Sequence, residues 1–267
     1  ETAIIAINGV TGKTGVAENS TPQEETITIT DDESAPTVTL TSNSYTMAED
    51  AGGYHTLRAS LSGATYEDVT VSIDGTGGTA TEGTDFGTVS DITISAGNTL
   101  GTTTFTAIDD SIYEGNETAG ISVSGVSGGG ASENGSQAFT ITITENESAP
   151  TVTLSTSGSS IAENAGSSLT LTATLSVATT ADVTVALSTS GTATEGTDYT
   201  DGSGAIDDIT ISAGSTTGTV NFTPTNDSVY EGDETATIAI SSVSGGSATE
   251  SGTQSVTITI SEDESAP

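Results

Sequence analysis

The chain repeats itself at the scale of a whole domain, and that period limits what it can fold into. The tetrapeptide Glu-Ser-Ala-Pro begins at Glu33, Glu147 and Glu264, so its copies stand 114 and 117 residues apart. Between them the match continues. GGTATEGTDFG at 77–87 answers SGTATEGTDYT at 190–200, and DDSIYEGNETAGISV at 109–123 answers NDSVYEGDETATIAI at 226–240. A period of this size is too long for a solenoid turn and fits a domain-sized bead. Residues 1–36 match only the last third of a unit, because Glu1, Thr2 and Ala3 align with Glu117, Thr118 and Ala119. The chain therefore reads as the last two strands of a preceding repeat, 1–36, followed by two whole units, 37–150 and 151–267. Three of the five prolines close these units, where a proline ends strand pairing and stiffens a linker. The linkers are only a few residues long, so neighbouring beads should touch.

Within a unit the hydrophobic period is two, not 3.6. Val183, Val185 and Leu187 alternate with Thr and Ala, and Val256, Ile258 and Ile260 alternate with Thr. Thr dominates the outward positions, as suits a solvated antiparallel sheet, and Gly and Ser cluster between the runs as turns. In the first whole unit strands are expected at 37–47, 54–62, 68–74, 90–95, 102–108, 118–124 and 138–144. Seven short strands in a unit of this length read as an all-β fold of tandem immunoglobulin-like, seven-stranded antiparallel β-sandwiches.

Such beads have little to bury. Leu, Ile, Val and Phe number 50 of 267 residues, there is no Trp, and there is no Cys to form a disulfide staple. Something besides apolar burial must stabilise them, and a metal is the remaining common device. The charge points the same way, with 37 Asp and Glu against 2 Lys and Arg, for a formal charge of -35. That balance argues against nucleic-acid and anionic-membrane partners, which need Lys and Arg to replace their counterions. No apolar run approaches the length needed to cross a bilayer, and no signal peptide opens the chain. Its ends read as cut from a longer array, with completion of residues 1–36 by strands of another chain as the alternative.

Strand parity locates the acids. With seven strands that each cross the sandwich once, the connections after strands 1, 3 and 5 and the exit from strand 7 share one end. In the first whole unit that end receives Glu49, Asp50, Glu82, Asp85, Asp109, Asp110, Glu114, Glu117, Glu145 and Glu147, ten of the unit's fifteen acids. In the second it receives Glu163, Glu195, Asp198, Asp227, Glu231, Asp233, Glu234, Glu262, Asp263 and Glu264. The opposite turns, such as SGATYED and SAGNTLG, are mostly Gly, Ser, Ala and Thr. Acidic loops are commonly just solvated. Here the same positions recur in both units and converge on one end, where self-repulsion is costly unless a cation neutralises it. Calcium, Ca2+, suits such a site because it takes six to eight oxygen ligands in loose geometry. Zinc would ask for His or Cys, and magnesium for fewer carboxylates and retained water.

The chain resembles the Calx-beta repeat, a module of sodium/calcium exchangers, of integrin β4 and of large bacterial surface proteins. The likeness is carried by AENAG at 162–166, GTATEGTDY at 191–199, ITISAGSTTGTVNF at 209–222, NDSVYEGDET at 226–235 and VTITISEDE at 256–264. The resemblance implies calcium ligands at Glu49, Asp85, Asp109, Asp110, Glu114, Glu117, Glu145 and Glu147, with Ile112 lending a backbone carbonyl. In the second unit it implies Glu163, Asp198, Asp227, Glu231, Glu234, Glu262, Asp263 and Glu264, with the carbonyl of Val229. The tail keeps Glu1, Asp31, Asp32 and Glu33 of a third site. Asn226 stands where the first unit has Asp109, and Asn146 where the second has Asp263. Fewer or unequal ions are expected on that account. Glu82 and Glu195 are expected beside the sites or in solvent.

Other signals are weaker. Gly125, Ser127 and Gly129 satisfy the nucleophile-elbow pattern G-x-S-x-G, but in a Gly/Ser hairpin loop and not between a strand and a helix. His55 has no counterpart in the second unit, where Leu169 stands. Asn-x-Ser/Thr occurs at Asn19 and five further positions in a chain rich in Ser and Thr. No enzymatic activity is expected. The leading reading is a calcium-stiffened rod or filament in a large extracellular or cell-surface protein, with an adhesive role open. Its expected partners are neighbouring repeats and other copies in a filament. The alternatives are a calcium-sensing regulatory module, a repeat domain of a secreted enzyme, and a halophile's acidic surface without specific ions.

Overall fold

A computed structural model of the chain describes residues 1–18, 21 and 23–267, and Asn19 lies outside them. Every regular element described is a strand, and no helix is long and apolar enough to cross a membrane. An N-terminal hairpin pairs β1 (Thr2–Ala6) antiparallel with β2 (Glu24–Thr28). The first sandwich comprises β3 (Thr37–Ser42), β4 (Thr46–Ala48), β5 (His55–Leu61), β6 (Val69–Gly78), β7 (Ile92–Ile94), β8 (Leu100–Phe105), β9 (Ile112–Tyr113), β10 (Glu117–Ser127), β11 (Ser132–Glu133) and β12 (Ala138–Thr144). The second comprises β13 (Thr151–Thr156), β14 (Ser160–Ala162), β15 (Leu169–Leu175), β16 (Ala178–Thr179), β17 (Val183–Gly191), β18 (Tyr199–Thr200), β19 (Ile209–Ile211), β20 (Thr217–Pro224), β21 (Glu234–Ser244), β22 (Thr249–Glu250) and β23 (Ser255–Ser261).

In the first sandwich the sheet β4-β12-β10-β6-β7 faces β11-β3-β5-β8. In the second, β14-β23-β21-β17-β19 faces β18-β20-β15-β13-β22. Both are immunoglobulin-like and antiparallel, apart from short parallel pairings at sheet edges such as β4 with β12. The period-two alternation becomes one buried face per strand. Val69 and Val71, Ile92 and Ile94, and Ile141 and Ile143 fill the first core, and Val183, Val185, Ile209, Ile211, Ile258 and Ile260 the second. Burying an aliphatic side chain of this size stabilises by about 1.5–3 kcal/mol. The few aromatic residues serve the loops. Phe86 stacks on Phe105 at 5.1 Å and Tyr199 on Phe222 at 4.7 Å, which pins the residues just before them, Asp85 and Asp198, against the core.

The strand expected at 37–47 is two. It breaks between Ser42 and Thr46, where the Ser42 hydroxyl donates to the Ser44 carbonyl at 2.6 Å and Asn43 Oδ1 accepts from Thr56 N at 2.8 Å. These local bonds compete with the ladder, so β3 pairs with β5 while β4 crosses to pair with β12. The single histidine is absorbed in this crossing, as His55 Nε2 donates to the Thr46 carbonyl at 2.7 Å. The long strands β6 and β10 run past the expected ends to Gly78 and Ser127. Irregular register between them frees Ile73 N, which Asp91 caps at 3.0 Å.

The two sandwiches are joined by more than a linker. β9 of the first pairs in parallel with β16 of the second, Ala178 opposite Ile112 and Thr179 opposite Tyr113. An acidic loop of one bead is thereby hydrogen-bonded into a neutral turn of the next.

Candidate metal centre

The connections at the exit end of each sandwich bring their carboxylates together as two groups. In the first sandwich, oxygens of Glu49, Glu145 and Glu147 lie within 4.8 Å of one another, and so do those of Asp85, Glu114 and Glu117. In the second, the groups are Glu163, Glu262, Asp263 and Glu264, and Asp198, Glu231 and Glu234. Near the hairpin, Asp31, Asp32 and Glu33 form a third kind of group, fully exposed.

The groups are built on a frame of backbone donors. Glu145 lies at the centre of it, with Oε2 accepting from Glu114 N at 2.6 Å and Gly115 N at 2.8 Å. Its Oε1 accepts from Asn146 N and Glu147 N, both at 3.0 Å. Glu262 repeats the pattern with Glu231 N, Gly232 N, Asp263 N and Glu264 N. One carboxylate thus ties the exit of the last strand to the loop before β10 or β21. Asp85 Oδ2 accepts from Thr81 N, and Asp198 Oδ2 from Thr194 N, each at 2.6 Å. Asp110 and Asp227 each turn their own loop by accepting from Ile112 N and Val229 N. The backbone of Asp110 donates to Glu49 and that of Asp227 to Glu163, which sets these residues beside both groups of their sandwich.

The remaining carboxylates are less well compensated, with one backbone donor each or none, against four for Glu145 and Glu262. Glu49, Asp85, Glu163 and Asp198 are buried among like charges. Burial, and then the charge of Glu145, pushes the Glu49 carboxyl up to about 7. Burial also pushes Glu114 and Glu117 up to about 7, reinforced in both by the charge of Asp85. Glu234 rises to about 7 by burial and its contact with Asp198. Glu264 rises to about 7 mainly through sharing hydrogen bonds with Glu262. The framing residues move the other way. Glu262 is held down at about 2 by the backbone N–H groups of Glu264, Glu231 and Gly232. Glu145 is lowered too, since its backbone donors outweigh the effect of burial. One oxygen in each sandwich, Glu147 Oε2 and Glu264 Oε2, is buried with no hydrogen-bond partner among the described residues. A buried acceptor left unpaired beside further negative charge fits a cation and little else. The donor set is all oxygen, which fits a hard cation and excludes the thiolate or imidazole ligation of zinc.

Of the twenty-two residues expected at such sites, sixteen are grouped as above, thirteen in the two sandwiches and Asp31, Asp32 and Glu33 in the exposed group. Asp109, Asp110 and Asp227 stand beside the groups and outside them. Asp109 accepts from the Asn146 amide at 3.1 Å, and Asn164 donates to Asp263 at 2.7 Å. Ile112 enters the pairing with Ala178, and Val229 is exposed. Glu1 lies apart from Asp31, Asp32 and Glu33, its amino group donating to the Ile29 carbonyl at 3.0 Å. Glu82 and Glu195 are half-buried and engaged by hydrogen bonds. Glu82 caps Val89 N at 3.0 Å, and Glu195 caps Ile206 N at 2.6 Å while accepting from the Thr189 hydroxyl. Acids away from the exit end are engaged in the same way, Asp68 with Ala96 N and Asp182 with Ala213 N. The frame role of Glu145 and Glu262 was missed, and no local motif announces it.

Fold and site together define a tandem all-β module with paired acidic centres at one end of each bead. The family model for the Calx-beta domain matches residues 31–147 and 145–264, and the chain belongs to that family. No curated protein matches it. Among solved structures it is similar to CBD12 from CALX1.2, at 18% identity over 84% of this chain and 100% of that one, with a TM-score of 0.36. It is also similar to calcium binding domain CBD12 of CALX1.1, at 17% identity over 80% and 96%, with a TM-score of 0.36. A third is invasin, a bacterial integrin-binding protein, at 17% identity over 85% of this chain and 40% of that one, with a TM-score of 0.38.

Proposed function

We propose that the chain is a calcium-stiffened rod segment of an extracellular or cell-surface protein, with calcium held at the exit end of each sandwich. In the first sandwich Glu49, Asp85, Glu114, Glu117 and Glu147 would hold the ions, with Asp110 beside them and Glu145 framing the loops. In the second, Glu163, Asp198, Glu231, Glu234, Asp263 and Glu264 take those places, framed by Glu262. Bound calcium would supply the positive charge that these carboxylates lack, and that is all it has to do. Residues 1–36 are read as the last two strands of another repeat. In support, Ala3 pairs with Ile27 in the hairpin as Ala119 pairs with Ile141 in β10 and β12.

One observation carries the rod reading. The loop that bears Asp109, Asp110 and Glu114 also contains β9, and β9 is paired with β16 of the next sandwich. Neutralising the acids therefore fixes the loop on which the joint is built. Small-angle X-ray scattering in calcium and in chelator tests this. The rod reading expects a longer maximum dimension and a narrower distribution of shapes in calcium, and identical curves refute it. An extracellular module of this kind should bind calcium with a dissociation constant of about 10⁻⁴ to 10⁻³ M. A sub-micromolar value would favour the sensor instead.

A further inference from the structure

The joint between the sandwiches has two halves, and the second sandwich carries an exposed copy of one of them. The first half is the exit edge, Ile112 and Tyr113, half-buried under the neighbouring bead. The second half is the entry edge, Ala178 and Thr179. The entry edge is held by its own sandwich, independently of the pairing. The Thr179 hydroxyl donates to the Ala181 carbonyl at 2.6 Å, and the Thr179 carbonyl accepts from Gly214 N at 2.8 Å. Gly246 packs so closely behind it that an added Cβ would stand 2.6 Å from Thr179 Oγ1. The first sandwich repeats this at Thr65, with Glu67, Gly97 and Gly129 in the same roles.

The exit edge of the second sandwich has the same loop chemistry as the first. Ser-Val-Tyr-Glu-Gly at 228–232 matches Ser-Ile-Tyr-Glu-Gly at 111–115. Asp227 turns that loop by accepting from Val229 N at 2.6 Å, as Asp110 does for Ile112 N at 2.7 Å. Val229 and Tyr230 are, however, 56% and 47% exposed. A loop turned in the same way as β9 and exposing two large apolar side chains is a template for strand addition.

We propose that Val229 and Tyr230 form a docking edge whose partner is the Ala-Thr entry edge of a further sandwich of this repeat. Val229 pairs opposite the alanine and Tyr230 opposite the threonine, in parallel, as Ile112 and Tyr113 do within the chain. The proposal rests on the reading of the inter-sandwich joint given above and extends it to a further sandwich. The entry edge of the first sandwich is the poorer donor, because Ala64 and Thr65 share a cavity of about 920 Å³ with the tail residues Asp31, Glu33 and Pro36. The second sandwich is the better probe. Its core and both of its facing sheets are drawn wholly from 151–261, so residues 151–267 fold without the rest.

The chain has no cysteine, which allows a covalent test. Paired residues in adjacent strands lie at disulfide-forming distance. Full-length V229C is mixed in calcium, under mild oxidation, with residues 151–267 carrying A178C or, as a remote exposed control, S203C. Disulfide-linked heterodimer is expected about tenfold faster with A178C than with S203C, and excess unlabelled 151–267 should slow it. Equal rates overturn the proposal. Full-length I112C/A178C reads the joint within the chain. If that internal disulfide forms while the heterodimer does not, docking of a further sandwich fails and the joint stands. If neither forms, the joint itself is wrong and the proposal falls with it.

Discussion

Replacing Glu49 by Gln sets two effects of opposite sign against each other, and calcium decides which one is seen. Glu49 is buried and its carboxyl is pushed up to about 7 from 4.5. A carboxyl whose affinity for protons rises on folding contributes stability only while protonated. That stability is fully present below about 4.5 and is lost as the pH rises through about 7. At pH 8 the ionised group therefore burdens the ion-free fold, by about 3 kcal/mol at about 1.4 kcal/mol per tenfold change in proton affinity. Gln keeps the shape and the acceptor for Asp110 N but cannot ionise. In chelator at pH 8, E49Q should be more stable than the parent by up to about 3 kcal/mol. For a bead of this size that raises the melting temperature of the first sandwich by roughly 10 °C. In millimolar calcium the order reverses, because the parent gains an ion held by one more carboxylate. A tenfold loss of affinity corresponds to about 1.4 kcal/mol. Differential scanning calorimetry of both proteins in both media gives four melting temperatures. The reasoning is refuted if E49Q is the less stable protein in chelator, or if calcium shifts both proteins equally.

Other outcomes follow from the same geometry. Glu145→Gln should destabilise in calcium and in chelator alike, by about 2–3 kcal/mol, because part-buried N–H donors of the frame lose their charged acceptor; urea unfolding in the two media distinguishes it from E49Q. Calcium added at pH 6.5 should displace about two protons from the first sandwich, where Glu49, Glu114 and Glu117 all titrate near 7. Calorimetric titration in buffers of different ionisation heat measures that number, and it should fall towards zero at pH 8.5. Gly78→Ala should cost more than about 2 kcal/mol, since Gly78 has φ 99° and an added Cβ would stand 2.0 Å from the Thr118 carbonyl oxygen. Thermal unfolding checks it, and Gly191→Ala should behave alike, with Thr235 in the place of Thr118.

Much of this was legible in the sequence because it depends on parity. Alternating Val, Ile and Thr fixes which face of each strand is buried, and an odd or even strand number fixes the end to which a loop belongs. Those two facts suffice to send Glu49, Asp85, Glu114 and Glu147 to one place. What the sequence did not reveal depends on distances between backbone groups far apart in the chain. Glu145 and Glu147 look equivalent in a run of acids, yet one receives four backbone N–H bonds and the other keeps a buried oxygen unpaired. Glu82 and Glu195 sit in loops full of site residues, and nothing local shows that they cap Val89 and Ile206. The joint of β9 with β16 is two residues long, too short for any period to register. The break at Ser42 leaves only a faint trace, since the alternation of Val38 and Leu40 lapses over polar residues and burial resumes on the other parity at Met47.

The most direct test of the account is a crystal structure grown in millimolar calcium, with anomalous data collected at a long wavelength. Anomalous peaks are expected between Glu49 and Glu147, between Asp85 and Glu114, and at the matching positions around Glu163 and Asp198. Each peak should lie about 2.3–2.6 Å from several carboxylate oxygens, and Glu145 and Glu262 should keep their backbone N–H bonds. Carboxylates solvated and free of any peak at that calcium concentration would contradict it.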